Sequence, residues 1–415
     1  MKVLMAHPTG NSNVRAIATA LKHASLLAEF NTTIAINSSA KWLNLMPASI
    51  KDQLLRRHFA LEAKDIKAHP YREIARIVLP KIGFKKFVVN ERSWAGIDAV
   101  YKNFDKRVAK RLEKSIQNND CTAVYAYEDG ALDIFKKAKQ HGLMCIYDLP
   151  IAYWETSRRL MLEEAARLPA WSMTLAGGIS DSGEKLERKT EEMALADIIV
   201  APGGFVFNSL PSFTENKLVI VSPFGSPPVK IELYKRQAET KTNKLRVLFV
   251  GSMTQRKGLG DLFEAIKFLN NPGIELLVMG SPVAPMKFYH EQLASFTYLP
   301  NRPHDQVLDL MRSCDVFCLP SIVEGRALVM QEAMSQGLPL IITKNTGGED
   351  LIIEGKTGFL VPIRSPQMIA EKLQWFFDNR VQLETMGKAA QNHASIYTWE
   401  KYGATIISAL LKITN

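Results

Sequence analysis

Cysteine is scarce in this chain, four residues in 415, too few for a disulfide scaffold. Cys314 and Cys318 stand four apart, not at the Cys-x-x-Cys spacing of a zinc knuckle or redox pair, so Cys121, Cys145, Cys314 and Cys318 read as buried free thiols in a reducing compartment. The eight histidines show no ligand spacing, and no Asp-x-Asp pair is placed to chelate a divalent ion on a nucleotide; no metal is expected. Long apolar runs are also missing. Val3-Leu4-Met5-Ala6 stops at His7-Pro8-Thr9-Gly10, too short for a secretory core. The uncharged stretch from Ile198 to Thr214 is broken by Pro202, Gly203, Gly204, Asn208 and Pro211, which excludes a spanning helix there. The expectation is a cytoplasmic protein, peripheral at most at the inner face of a membrane, with idle glycosylation sequons at Asn31 and Asn37.

What is present is ordinary globular material, 47% hydrophobic and 23% charged. At this length one core stops growing and two domains are expected. The net charge of +10 is unevenly spread. Between Lys51 and Lys114 there are 17 Lys and Arg against 8 Asp and Glu, an excess of nine. That block reads either as a solvated helical face or as a patch for an anionic surface such as lipid head groups or a polyprenyl diphosphate. Nucleic acid is disfavoured, because aromatics are few within the block and acids many.

Short β-rich runs alternate with helical stretches, the pattern of parallel α/β sheets. Strands are expected at Lys2–His7, Thr32–Asn37, Lys86–Asn90, Thr122–Tyr127, Met144–Asp148 and Ile198–Pro202. After the Pro- and Gly-dense stretch Val221 to Pro228 and the polar run Lys235 to Lys244, the alternation restarts. Strands are expected there at Leu245–Gly251, Glu275–Ser281, Ser295–Asn301, Val316–Ser321, Leu338–Thr343 and Gly358–Pro362. The economical division is residues 1–225, a first Rossmann-like domain; 226–390, a second; and 391–415, a helix returning to the first domain. In open α/β sheets ligands bind at the carboxyl ends of strands, so the loops there are where contacts should be sought.

Two constellations could do chemistry. Gly251-Ser252-Met253-Thr254-Gln255-Arg256-Lys257-Gly258 joins an apolar strand to a helix. Exposed amides and the positive helix end favour an anion, and Arg256 and Lys257 add full charges. The loop lacks the Walker Gly-Lys-Ser/Thr ending. Taken alone, it reads equally well as a surface pair before a capping glycine. The second runs from Pro320 to Met334 and holds Glu324 and Glu332. Glu324, at a strand-to-helix loop, could be simple N-terminal capping. Glu332 stands among Leu328, Val329, Met330, Ala333 and Met334; burying its carboxylate there would require a hydrogen-bonding partner, and a ribose diol offers two hydroxyl donors. A carboxylate directed to solvent or paired with a lysine is the other reading.

In order and spacing, Arg256-Lys257-Gly258, Glu324 with Glu332, Gly337-Leu338-Pro339, Gly347-Gly348 and Glu354 to Pro362 resemble the donor domain of the family 4 retaining glycosyltransferases. The resemblance is close over residues 245–365 and looser elsewhere. It implies the GT-B fold, two Rossmann-like doubly wound domains facing across a cleft. It also implies a metal-independent retaining transfer of a hexose-type sugar from a UDP- or GDP-sugar to a glycan or lipid-linked acceptor, with the nucleotide sugar a substrate and no cofactor.

Laid on this chain, the resemblance gives Arg256 and Lys257 to the diphosphate, Glu332 to the ribose, and Asn301 and Arg302 to the base. Glu324, with Gly325, Arg326, Ala327, Leu328 and Val329, would grip the transferred sugar and distal phosphate. Gly251 and Ser252 line the donor loop, and Gly10 and Asn11 close over the diphosphate from the other domain. Tyr153 and Trp154 could stack on an acceptor ring, or be packing. The chain departs from the family at three points. Ser252 stands where many members have arginine. Arg326-Ala327 replaces Phe-Gly, so Arg326 is expected to favour an acidic or strongly polar sugar. No histidine follows Asp148-Leu149, which leaves Asp148 and His7 as candidates for its catalytic role beside a structural role for both. Rival readings are a nucleotide-sugar epimerase of the same architecture and a catalytically inactive sugar-binding paralogue.

Overall fold

In the computed structural model, residues 1–36, 55, 57–227 and 244–414 are described. Among the described residues the apolar runs form thirteen strands in two sheets. The first is built from β1 (Val3–Ala6), β2 (Leu27–Thr32), β3 (Ile66–Ala68), β4 (Ala123–Tyr127), β5 (Met144–Asp148), β6 (Ile198–Ala201) and β7 (Leu218–Val221). The second is built from β8 (Leu245–Val250), β9 (Ile274–Met279), β10 (Thr297–Leu299), β11 (Val316–Leu319), β12 (Leu340–Ile342) and β13 (Gly358–Leu360). Every pairing is parallel. Parallel strands are covered on both faces, which is why β1, β4, β6, β11 and β12 are buried along their whole length.

The spatial orders are β3-β2-β1-β4-β5-β6-β7 and β10-β9-β8-β11-β12-β13. Each order reverses direction at one point, between β1 and β4 in the first sheet and between β8 and β11 in the second. Helices leave opposite faces there, so a crevice opens beyond the strand ends. The loops flanking these two crevices are His7–Asn11, Glu128–Gly130, Gly251–Gly258 and Pro320–Ala327. Both sequence constellations therefore fall on the same switch point although far apart along the chain.

Among the described residues, several elements join the halves. The helix Trp399–Thr414 packs on the helix Ser12–His23, burying Tyr402, Ile406 and Leu410 in the core of the first sheet. Trp171 reaches the other way, into the core of the second sheet, edge-on to Phe263, Phe288 and Tyr289 with centroids 5.0–5.9 Å away. Around it lies a buried polar network. Glu164 accepts from Arg167 (2.6 Å), Gln255 (2.8 Å) and Arg364, and Arg167 also pairs with Asp261 at 2.9 Å.

Two strand expectations fail. Instead of Thr32–Asn37 the strand is Leu27–Thr32, and Asn37 lies outside the described residues, as do 51–54 and 56 of the basic block. Polar Glu29 and Asn31 are buried in β2 because Arg111 meets Glu29 at 3.1 Å and His69 meets Asn31 at 3.1 Å. In place of a strand at Lys86–Asn90 there is a 3-10 turn, Lys85–Phe87; β-branched Val88 and Val89 find no neighbouring strand to pair with. All four cysteines are buried and unpaired.

Candidate functional site

The loop after β8 is held against the loop after β11 by backbone. Ile322 N–H donates to the Arg256 carbonyl at 2.8 Å, and Arg256 Nη1 donates to the Val323 carbonyl at 3.0 Å. Gly258 closes the first loop with φ +72°, and a β-carbon there would stand 2.0 Å from the Pro320 carbonyl oxygen; only glycine permits both. The result is a three-centre ionic contact. Arg256 Nη1 and Lys257 Nζ both reach Oε1 of Glu324, at 2.5 and 2.6 Å. The Lys257 and Glu324 side chains are 12% and 11% exposed. Burial pulls the Lys257 ammonium below its ordinary pKa, and Glu324 opposes that shift.

Lys257 and Glu324 form one wall of a cavity of about 700 Å³, together with Arg326, Ala327 and Leu328. The facing wall comes from the first sheet, the Thr9–Asn13 loop with Arg15, Arg57 and Pro150. Gly10 and Asn11 thus lie across the cleft from Lys257. Gly325 marks a close approach of the halves, since a β-carbon on it would stand 1.7 Å from the Pro150 carbonyl oxygen. Arg256 faces a second cavity of about 390 Å³, shared with Ser252, Thr254, Trp154, Glu128 and Lys189. Burial pushes the Glu128 carboxyl up to about 7 against the pull of Lys189.

Other predicted residues are placed differently. Glu332 is part-buried rather than enclosed by its apolar neighbours, because its helix begins at Leu328 and turns it outward; Oε1 lies 3.1 Å from His304 Nε2. It is absent from the cavity wall, one helical turn beyond Leu328 on the same face. Asn301 donates to Ser281 Oγ at 2.6 Å and Arg302 is exposed two residues before His304. Gly251 lies against the Lys257 stem, 3.5 Å from where its β-carbon would be, and Val329 packs on the core of the second sheet.

Four candidate residues are enclosed rather than open. Arg326 is not open to a sugar: it donates to both Asp350 oxygens (2.6 and 3.1 Å), to Gln331 (2.8 Å) and to the Gly347 carbonyl (3.0 Å), with Tyr397 beneath it at 5.1 Å. Tyr153 is fully buried and its hydroxyl meets Thr190 at 3.1 Å, so it is packing. Asp148 is sealed at the end of β5, accepting from Tyr125 at 2.6 Å and Tyr402 at 3.4 Å; burial pushes its carboxyl up to about 7. His7 is buried edge-on to Tyr127 and burial draws its pKa down to about 4, which keeps the imidazole neutral near pH 7. Sequence reasoning missed Arg15 and Arg57 as cleft residues. Arg57 was lost within the basic block, and Arg15 had no motif around it.

Comparison with known proteins bears on the half that holds this loop pair. Residues 230–393 match the family described as glycosyl transferases group 1. The D-inositol 3-phosphate glycosyltransferase of Corynebacterium diphtheriae is 27% identical over 42% of this chain and 46% of its own length. The capsular polysaccharide biosynthesis glycosyltransferase CapM of Staphylococcus aureus is 28% identical over 45% and 54%. The chain matches about half the length of these curated relatives. Among solved structures, sucrose-phosphate synthase of Thermosynechococcus elongatus superposes with a TM-score of 0.67 at 14% identity over 100% of this chain and 99% of that one. Anabaena HepE in complex with UDP-glucose gives 0.59 at 16% over 99% and 100%. These likenesses extend beyond the group 1 region to both sheets, and the fold is the two-domain Rossmann-like GT-B arrangement. Among the described residues no group of three or more His, Cys, Asp or Glu is arranged to hold a metal ion, and no helix is long and apolar enough to cross a membrane.

Proposed function

We propose that the chain is a glycosyltransferase that takes a hexose-type sugar from a nucleotide diphosphate and passes it, with retention, to a glycan or lipid-linked acceptor. The observation that carries this is the convergence of Arg256 and Lys257 on Glu324, with Lys257 and Glu324 lining a cleft whose other wall is the Gly10–Asn13 loop and Arg256 facing the second cavity. Two cations held by one carboxylate are preorganised for an anion. A diphosphate in the cleft takes over part of the pairing Glu324 supplies, and the same cations stabilise the charge that grows on the departing nucleotide. They perform this with no proton transfer and no metal. Glu332, one helical turn beyond the cleft-lining Leu328 and paired with His304, is assigned the ribose, and Arg302 the base. Closure at Gly325 against Pro150 keeps water from the sugar. HepE was solved with UDP-glucose, which favours a UDP-sugar over a GDP-sugar. CapM is named for capsular polysaccharide biosynthesis, which favours a glycan acceptor. The charge excess of residues 51–114 suits an anionic membrane carrying a lipid-linked one.

The test is release of nucleoside diphosphate from a panel of UDP- and GDP-sugars with and without lipid-linked oligosaccharide acceptors. Acceptor-dependent release with an unchanged anomeric configuration supports the proposal. Consumption of the donor without acceptor would identify an epimerase instead, and binding without turnover an inactive paralogue.

A further inference from the structure

A surface helix normally buries its apolar side chains and exposes the polar ones. The helix Tyr71–Val78 does the opposite. Glu73 is its buried residue, held by Arg57 and by Arg76 at 2.7 Å, while Tyr71, Ile74 and Val78, spaced i, i+3 and i+7 on one face, are exposed. The chain then passes through the 3-10 turns Leu79–Ile82 and Lys85–Phe87. Every residue from Lys81 to Phe87 is exposed, with Ile82, Phe84 and Phe87 set among Lys81, Lys85 and Lys86. Val89 is 69% and Trp94 55% exposed.

Of 22 large hydrophobic side chains exposed among the described residues, nine lie in these 27 residues, a clustering that separates this surface from singly scattered apolar groups. The segment carries six Lys and Arg against two acids, and both acids are withdrawn: Glu73 is buried, and Glu91 accepts from the backbone and hydroxyl of Ser182 (3.1 and 2.5 Å). The turns are internally held. Ala95 N–H donates to the Phe87 carbonyl at 2.9 Å, Ser93 Oγ donates to the Lys86 carbonyl at 3.2 Å, and the Arg72 guanidinium lies 5.6 Å from the Trp94 ring centre. Cations on an ordered frame beside aromatic and aliphatic tips fit the boundary of an anionic bilayer, where head groups take the charge and acyl chains the apolar tips.

We propose that residues 71–97 are a membrane-inserting element, with Ile82, Phe84, Phe87, Val89 and Trp94 entering the bilayer boundary and Lys81, Lys85, Lys86 and Arg92 meeting anionic head groups. The element adjoins the catalytic cleft, because Arg57 both lines the cleft and pairs with Glu73. The proposal deepens the lipid-linked-acceptor reading and rests on it for its purpose. Charge attraction alone predicts full release at high salt. Insertion predicts a retained fraction, since about 1 M salt shortens the screening length to ~3 Å and leaves apolar contact intact.

The experiment is co-sedimentation with vesicles of phosphatidylglycerol and phosphatidylcholine at low salt and at about 1 M salt, on the wild type, Phe84→Ser/Phe87→Ser and Lys81→Gln/Lys85→Gln/Lys86→Gln. The wild type is expected to keep a bound fraction at high salt and to show a blue-shifted emission absent from Trp94→Phe. The serine variant is expected to lose the salt-resistant fraction, and the glutamine variant to lose low-salt affinity. Complete release of the wild type by salt, no binding, or unchanged binding by the serine variant would overturn the proposal. So would a wild-type dimer, seen by sedimentation equilibrium, that the serine variant abolishes. UDP binding by the same proteins, expected equal in all, separates this outcome from failure of the glycosyltransferase reading.

Discussion

The ammonium of Lys257 lies 2.6 Å from Oε1 of Glu324, and that contact joins the two loops that flank the switch point of the second sheet. Burial disfavours the Lys257 charge, and Glu324 works against that. A lone buried ammonium or carboxylate costs several kcal/mol, and each offsets the other's burial. In Lys257→Ala the diphosphate keeps Arg256 but loses one charge-assisted partner, about 1.5–3 kcal/mol. Nucleoside diphosphate affinity is expected to fall by roughly 10- to 150-fold, read by titration calorimetry.

Gly325 tests closure. A β-carbon on it would stand 1.7 Å from the Pro150 carbonyl oxygen, so Gly325→Ala must push the halves apart. Turnover is expected to drop by at least about 100-fold, the scale of a 1 Å misplacement, with a larger radius of gyration by small-angle scattering. A variant with wild-type turnover and dimensions would show that the closed arrangement is not needed.

Arg326 is a structural cation here. Arg326→Ala strips donors from Asp350, Gln331 and the Gly347 carbonyl at once. Because Asp350 is part-exposed, the loss is expected at the lower end of the range for a broken buried pair, about 3 kcal/mol, seen as a lower melting temperature. The ratio of turnover between uronic and neutral donors is expected to stay unchanged. A selective loss of the uronic donor would return Arg326 to the sugar site.

Asp148 separates structure from catalysis. Its folded carboxyl is raised to about 7 from a model-peptide value near 3.9, so between those values the folded chain holds a proton that the unfolded chain has released. Stability contributed by this group is therefore complete at low pH and is lost as pH climbs toward 7. Asp148→Asn keeps an acceptor for Tyr125 and Tyr402 and is expected to be more stable than the wild type at pH 8, with the difference vanishing near pH 4 in urea titrations. Its turnover is expected to remain within a few-fold of wild type, about 1 kcal/mol or less.

The strands that form the switch points were legible because each is a short apolar run ended by glycine, proline or charge, as in Val247–Gly251 and Val316–Pro320. Elements whose polar residues are satisfied from afar were not. Nothing local to Glu29 announces Arg111, and nothing around Arg326 announces Asp350. Glu332 misled for a related reason: its neighbours are apolar, but the helix start at Leu328 decides which way it faces. Tyr153 and Trp154 look alike in sequence, yet the first is core and the second lines a cavity. Such differences are set by tertiary packing.

The central claim is that Lys257 and Glu332 serve one bound nucleotide. The most direct measurement is the thermal shift of the wild type, Lys257→Ala and Glu332→Ala across a panel of nucleoside diphosphates, each at about 100 times its dissociation constant, where binding adds ~2.7 kcal/mol. A shift of the wild type by UDP or GDP that mostly disappears in both variants is the predicted result. No shift by any nucleoside diphosphate, or a full shift in both variants, would contradict the account.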